Sequence, residues 1–397
     1  MKIVKIEDFH ADGGWRDFAF LKITTDEGLI GWSEYNEEFG VGGTTEIIHK
    51  FAPTVTGMDP REVGVISMAL RGASRMAIGG LNHQAVAAIE NACLDVKAKA
   101  LGVPVYALFG GPFRTRIPLY WSHCGTFRVR DPDYFEKELG RFGVRSLDDI
   151  KRMGEEAKKS GFKSFKTNPM LFDPPRPRMW NSGLRIMPGQ HDRHPEPKII
   201  KAICAQLEAF RDGCGPDMQM QLDVNFGQRT EGFLKIARAV ERFDLLWLEM
   251  DMFDPEALAL IRRKSNVTIA SLETLMGLGA YRPFLQAYAA DVAIIDIPWN
   301  GVWESVRIAN LADAFEVNTA PHNFSGQLCD LMSGHFAASV PNFRIMEFEH
   351  DDVPWKADLV THPITVEEGE LVLPDRPGWG TDINEDAVAA HPPKKKK

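Results

Sequence analysis

Apolar residues recur along this chain in two rhythms, and the switch between them divides it. Met1–Phe9 alternates apolar and polar positions as a half-buried strand does, and Phe18–Thr24 and Gly31–Tyr35 repeat the alternation, with D-E-G at Asp26–Gly28 as a hairpin turn. Ala11–Arg16 and Asn36–Gly43 are Gly-rich loops beside these segments. Thr44–Leu101 follows a helical period and ends on Gly102, a residue suited to a left-handed helix C-terminus. Residues 1–115 therefore read as a separate α+β unit.

Beyond it, short apolar runs alternate with helical segments. The runs are Ile117–Trp121, Lys163–Thr167, Met218–Val224, Leu245–Glu249, Val267–Ser271, Val292–Asp296, Val317–Ala320 and Phe343–Glu347. Each is what a strand buried on both faces looks like. Between them, segments such as Ser146–Ser160 open on a Ser/Asp capping arrangement and stop at a glycine. Eight such units predict a closed parallel (β/α) barrel of the TIM type over residues 116–354, with its chemistry at the C-terminal strand ends. One interval is abnormally long: Pro169–Pro197 holds seven prolines, four arginines and Trp180. A lid, a substrate-contacting loop or a subunit contact would each account for it, and His191 and His194 within it read as surface residues.

Composition narrows the partners. With 46 Lys and Arg against 55 Asp and Glu, the net charge of −9 argues against nucleic acid. No uncharged apolar run approaches membrane-spanning length, and the N-terminus lacks a signal-peptide core. Five scattered cysteines without a C-x-x-C pair suit reduced thiols in a cytoplasm. A homo-oligomer is expected.

The strand tips carry the candidate chemistry. Three successive runs end at or just before Asp223, Glu249 and Glu273. Converging like charges repel unless a cation sits among them, and an all-carboxylate set without Cys or His favours Mg²⁺, with Mn²⁺ next, one ion per subunit. Lys166 and Asn168 share one face of the second strand, as Asp223 and Asn225 do on the third. Asp296 ends the sixth strand and His322 the seventh, so an Asp that orients an imidazole is within reach. Glu347 is the tip of the eighth, with Glu349 two residues on. Metal, lysine and a His–Asp pair at one mouth are what abstraction of a proton α to a carboxylate requires.

Taken together these residues resemble the enolase superfamily, and within it the mandelate racemase-like subgroup, over essentially the whole chain. Ala87–Gly111 is similar to that family's segment leading into the barrel. The resemblance implies Asp223, Glu249 and Glu273 as Mg²⁺ ligands, Lys166 as the first lysine of the strand-two K-x-K, Asp296 with His322 as the dyad, and Glu347 as the acid that hydrogen-bonds the substrate carboxylate. It also implies that residues 355–397 pack back on the N-terminal capping domain and complete it. Asn168 stands where a racemase has its second lysine, and the K-x-N form is similar to that of some aldonate dehydratases. W-K-A-D-L-V at Trp355–Val360 and P-G-W-G at Pro377–Gly380 resemble the sugar-acid dehydratase C-terminus.

The expected function is a Mg²⁺-dependent dehydratase of an aldonic or aldaric acid, giving a 2-keto-3-deoxy acid. Asn168, Asn225, Trp15 and Arg16 are the candidate substrate contacts. Racemisation, epimerisation or cycloisomerisation on a related carboxylate is the alternative, and a non-catalytic sugar-acid-binding barrel is the third reading.

Overall fold

The structure, a computed structural model, describes residues 1–37, 42–173, 176–180 and 194–394. Ile3–Asp12, Asp17–Thr25 and Ile30–Tyr35 form an antiparallel sheet, and the helices Thr44–Val55, Val63–Ala73 and Gly80–Leu101 follow. The last of these is buried along most of its length and lies against the sheet. Their approach is so close at Gly31 that a side chain there would meet the carbonyl of Ala92 at 2.1 Å. That helix ends as its sequence requires, with Gly102 left-handed at φ 69°.

The described residues include eight parallel strands in barrel order: Arg116–Trp121, Ser164–Thr167, Gln219–Asp223, Trp247–Glu249, Ile269–Ser271, Val292–Asp296, Asn318–His322 and Met346–Phe348. The eighth pairs with the first, through Glu347 opposite Tyr120, and closes the sheet. It starts three residues later than the apolar run at Phe343 suggests, because Phe343 makes only an isolated bridge to Thr319. Inside the barrel, Tyr120, Trp247, Ala270, Ile294 and Ala320 belong to a buried apolar plug. That plug forms the dry floor on which the polar tips stand.

The C-terminal residues return to the N-terminal unit. Trp379 is fully buried and donates its Nε1–H to the Trp32 carbonyl (2.7 Å), while Trp355 Nε1 donates to the Asp12 carbonyl (2.7 Å). Buried Asp95 accepts from the backbone N–H of both Trp32 and Trp379 and from Lys99 Nζ. One side chain of the long helix thus ties the sheet to the tail.

The same helix caps a barrel helix, Val302–Ala314, whose first N–H groups would otherwise lack partners. Asn91 Oδ1 accepts from Val302 N (2.8 Å) and Glu90 Oε1 from Trp303 N (3.1 Å). Burial, with Arg71 opposing and Glu304 reinforcing, pushes the Glu90 carboxyl up to about 8. The folded chain therefore holds a proton that the unfolded chain releases above pH 4.5, so stability falls as pH rises from 4.5 to about 8. Each pH unit is worth at most about 1.4 kcal/mol for this group. Urea midpoints at both ends of that window should drop less in Glu90→Gln than in the wild type, and equal drops would rule the effect out.

Candidate active site

Strand register assembles the site. Asp223 lies opposite Glu249 in the pairing of the third and fourth strands, and Asp296 opposite His322 in that of the sixth and seventh. His322 Nδ1 is 2.7 Å from Asp296 Oδ2, and Asp296 Oδ1 accepts from Trp299 N, so the carboxylate is fixed by backbone before it holds the ring. Nδ1 is thereby occupied, and Nε2 is the nitrogen turned to the site, 3.6 Å from Glu273 Oε2 and 4.0 Å from Glu347 Oε2. Burial works against the imidazolium, but Glu273, the Asp296 hydrogen bond and Glu347 outweigh it and raise His322 to about 10.

Lys166 is buried, with Nζ 2.8 Å from Glu249 Oε1 and 2.9 Å from Glu347 Oε1. Burial favours the neutral amine, yet Glu249 and Glu347 hold it well above the usual lysine range, so it stays a cation. Glu347 accepts from Ser122 Oγ (2.5 Å) and Asn323 N (2.9 Å) as well as from Lys166. Against burial, Lys166, His322 and His123 depress its carboxyl to about 2. Ser122 Oγ, Asn323 N and Lys166 thus all direct their protons at Glu347.

The three acids expected as metal ligands are gathered at this mouth, each engaged by the protein. Asp223 accepts from Asn225 N (2.8 Å) and Asn168 Nδ2 (3.0 Å), Glu249 from Lys166 and from Trp247 Nε1 (2.9 Å), and Glu273 faces His322. Among the described residues no three His, Cys, Asp or Glu side chains stand as a ready set of metal donors. The donor chemistry nevertheless fits a hard divalent cation, because burial and repulsion from neighbouring carboxylates push all three carboxyls up. Glu273 stands just past its strand, after Leu272 at φ 90°, and Asp251 Oδ1 holds that turn by accepting from Leu272 N (2.8 Å).

A cavity of about 590 Å³ opens above these groups. Lys166, Asn168, Asp223, Asn225, Glu273, His322 and Glu347 line it from the barrel, and Trp15 and Asn36 from the N-terminal unit. Arg16, by contrast, does not reach it. The residue is 4% exposed, and its guanidinium pairs with Asp352 (2.8 Å) and donates to the carbonyls of Gly13 and Ser325. A cation that deep needs a counter-charge, and Asp352 supplies it, so Arg16 braces the loop that presents Trp15. Asn168 lines the cavity, but its amide also bridges Thr126 Oγ1 and Asp223.

In the Pro-rich insertion, Met170–Leu171 pairs with Arg178–Met179, and Met179 reaches the cavity wall. His194 pairs with Glu231 (2.5 Å), and His191 lies outside the described residues, as does most of the insertion. Sequence reasoning passed over His123, just past the first strand, which lines the cavity with its ring against Trp15 and Phe127. The only signal was a polar S-H pair following an apolar run.

Comparison with known proteins follows the same lines. Residues 149–387 match the family model described as enolase C-terminal domain-like, and residues 14–110 match that of the mandelate racemase / muconate lactonizing enzyme N-terminal domain. A crystal structure from Burkholderia xenovorans, provisionally named an L-alanine-DL-glutamate epimerase, is 45% identical, covers 99% of each chain and superposes with a TM-score of 0.95. A second crystal structure under that name is bound to magnesium and fumarate; it is also 45% identical, with a TM-score of 0.95 over 99% of this chain and 96% of that one. The D-xylonate dehydratase of Haloferax volcanii is 26% identical over 98% of this chain and 89% of its own length.

Proposed function

Because the chain belongs to the mandelate racemase/muconate lactonizing enzyme family, with its enolase-type C-terminal barrel, we propose that it is a hydro-lyase acting on an aldonic or aldaric acid. The reaction removes the proton α to the carboxylate and the 3-hydroxyl, leaving a 2-keto-3-deoxy acid. The observation that carries this reading is the buried His322–Asp296 pair, set with cationic Lys166 around one cavity above three clustered carboxylates. Dehydratase-named relatives that align over most of their length, D-xylonate dehydratase among them, support the water-losing outcome.

Asp223, Glu249 and Glu273 are the residues that would hold Mg²⁺, which supplies positive charge for the carboxylate and for the enolate oxygens that develop from it. The protein's own groups account for the rest. Glu273 contributes most to holding the His322 ring protonated; with that carboxylate given over to the cation, Nε2, free of the Asp296 bond, would be the nitrogen that accepts the α-proton. Lys166 Nζ, kept cationic by Glu249 and Glu347, neutralises the charge that proton leaves behind. Trp15, Trp299 and Phe324 wall the cavity and limit water at the reacting carbons.

A second reading, inversion at the α-carbon, is favoured by the provisional name of the 45%-identical Burkholderia structure. Inversion needs a base on each face, and Asn168 supplies none where that base would come from the second strand. One screen separates the two. The protein with Mg²⁺ is offered a library of acid sugars and Ala-Glu dipeptides, and both 2-keto acid formation and inversion in D₂O are read. Formation of a 2-keto acid from at least one acid sugar is the expected result, and dipeptide inversion without any elimination would replace the first reading with the second.

A further inference from the structure

Elimination of water needs an acid for the leaving oxygen as well as a base for the α-proton, and the site contains a second His–carboxylate pair that the proposed mechanism leaves unused. His123 Nδ1 is 2.7 Å from Glu349 Oε2, the same separation as between His322 and Asp296. The two imidazoles flank Glu347. Its Oε1 accepts from Ser122, the neighbour of His123, and its Oε2 stands 4.0 Å from His322 Nε2. Both rings line the same cavity.

His123 is placed at some expense. It adopts the left-handed conformation, φ 50°, in which a non-glycine residue is uncommon. Phe127 at 4.5 Å and Trp15 at 6.2 Å pin the ring. The polar partners of its ring among the described residues both lie at Nδ1, Glu349 at 2.7 Å and Ser122 Oγ at 3.1 Å, which leaves Nε2 for a ligand. Glu349 is 1% exposed, and its Oε1 is buried without a hydrogen-bond partner.

We propose that His123 is the general acid of the elimination, donating its Nε2 proton to the departing 3-hydroxyl, with Glu349 as the positioning residue behind it. This rests on the dehydratase reading. As the C3–O bond breaks, the Nε2 proton passes to the oxygen and water leaves. The electron pair freed at C2 by His322 closes the C2–C3 double bond. Nδ1 draws the proton from Glu349, whose carboxylate is left in the field of Arg16 and Lys356. The resting electrostatics suit this sequence. Burial lowers His123 to about 3, and burial together with Asp352 and Asp351 raises Glu349 well above the usual carboxylate range, so the shared proton begins on the carboxyl and the ring presents Nε2–H.

The test uses the full-length protein with Mg²⁺, an acid sugar that the wild type dehydrates, and its 3-deoxy-3-fluoro analogue, because fluoride leaves without a proton. His123→Gln should lose water about 100-fold more slowly than the wild type. It should still wash the α-proton into D₂O and release fluoride from the analogue at close to the wild-type rate, which a misfolded protein could not do. Glu349→Gln should lower kcat with KM unchanged and show the same fluoride rescue. Water loss by His123→Gln at the wild-type rate overturns the inference, as does joint loss of exchange and fluoride release. A wild type inert towards every acid sugar overturns the dehydratase reading and this inference with it.

Discussion

Replacing His322 with Asn should abolish both loss of water and exchange of the α-proton with solvent, each by about 1,000-fold, or roughly 4 kcal/mol of transition-state stabilisation. The expectation follows from what remains after the change. Asp296 keeps its place because Trp299 N still binds its Oδ1, and Lys166 keeps both carboxylate partners, so the cavity retains its charge and shape. Only the nitrogen facing the α-carbon is gone. Lys166 is a poor substitute base, because Glu249 and Glu347 hold its proton tightly. Proton NMR in D₂O and a 2-keto acid assay measure the two losses separately. If His322→Asn still exchanged the α-proton but failed to eliminate, Lys166 would be the base and His322 the acid.

The second large effect concerns the cation. Of the three clustered carboxylates, Glu273 makes no hydrogen bond among the described residues, its nearest cationic neighbour being His322 Nε2 at 3.6 Å. Glu273→Gln therefore removes one hard, charged donor without orphaning a partner, whereas changing Asp223 would disturb Asn168 and Asn225, and changing Glu249 would disturb Lys166 and Trp247. Mg²⁺ affinity measured by titration calorimetry should fall about 100-fold, or roughly 2.7 kcal/mol, and turnover should fall with it. Unchanged affinity would remove Glu273 from the ligand set.

Much of this architecture was legible because barrel strands announce themselves. A doubly buried strand must be apolar along its run and must turn polar where it leaves the sheet, so Asp223, Glu249 and Asp296 could be placed at strand ends from local pattern alone. Register then followed from consecutive parallel pairing. Contacts made across hundreds of residues were not legible. Nothing near Arg16 in sequence reveals that Asp352 claims its guanidinium, so it read as a substrate contact. His123 was passed over for a related reason. Its value lies in a left-handed turn and in a partner, Glu349, that adjoins it in the barrel but stands 226 residues away in sequence, and neither leaves a periodic trace. Glu273 was found as an acid after a strand, but the Leu272 turn held by Asp251 is a tertiary device without a local signature.

The bond from Trp379 to Trp32, with Asp95 between their backbones, also orders events in time. A chain emerging from the ribosome presents its N-terminal sheet first and its last tryptophan hundreds of residues later. Until Trp379 arrives, one of the groups that Asp95 was built to hold is missing, and the Trp32 carbonyl waits for its donor. The N-terminal unit therefore makes its full set of native hydrogen bonds only when the C-terminal segment is present. Its last ties to the tail span nearly the whole chain, the kind of contact whose loop-closure cost is greatest.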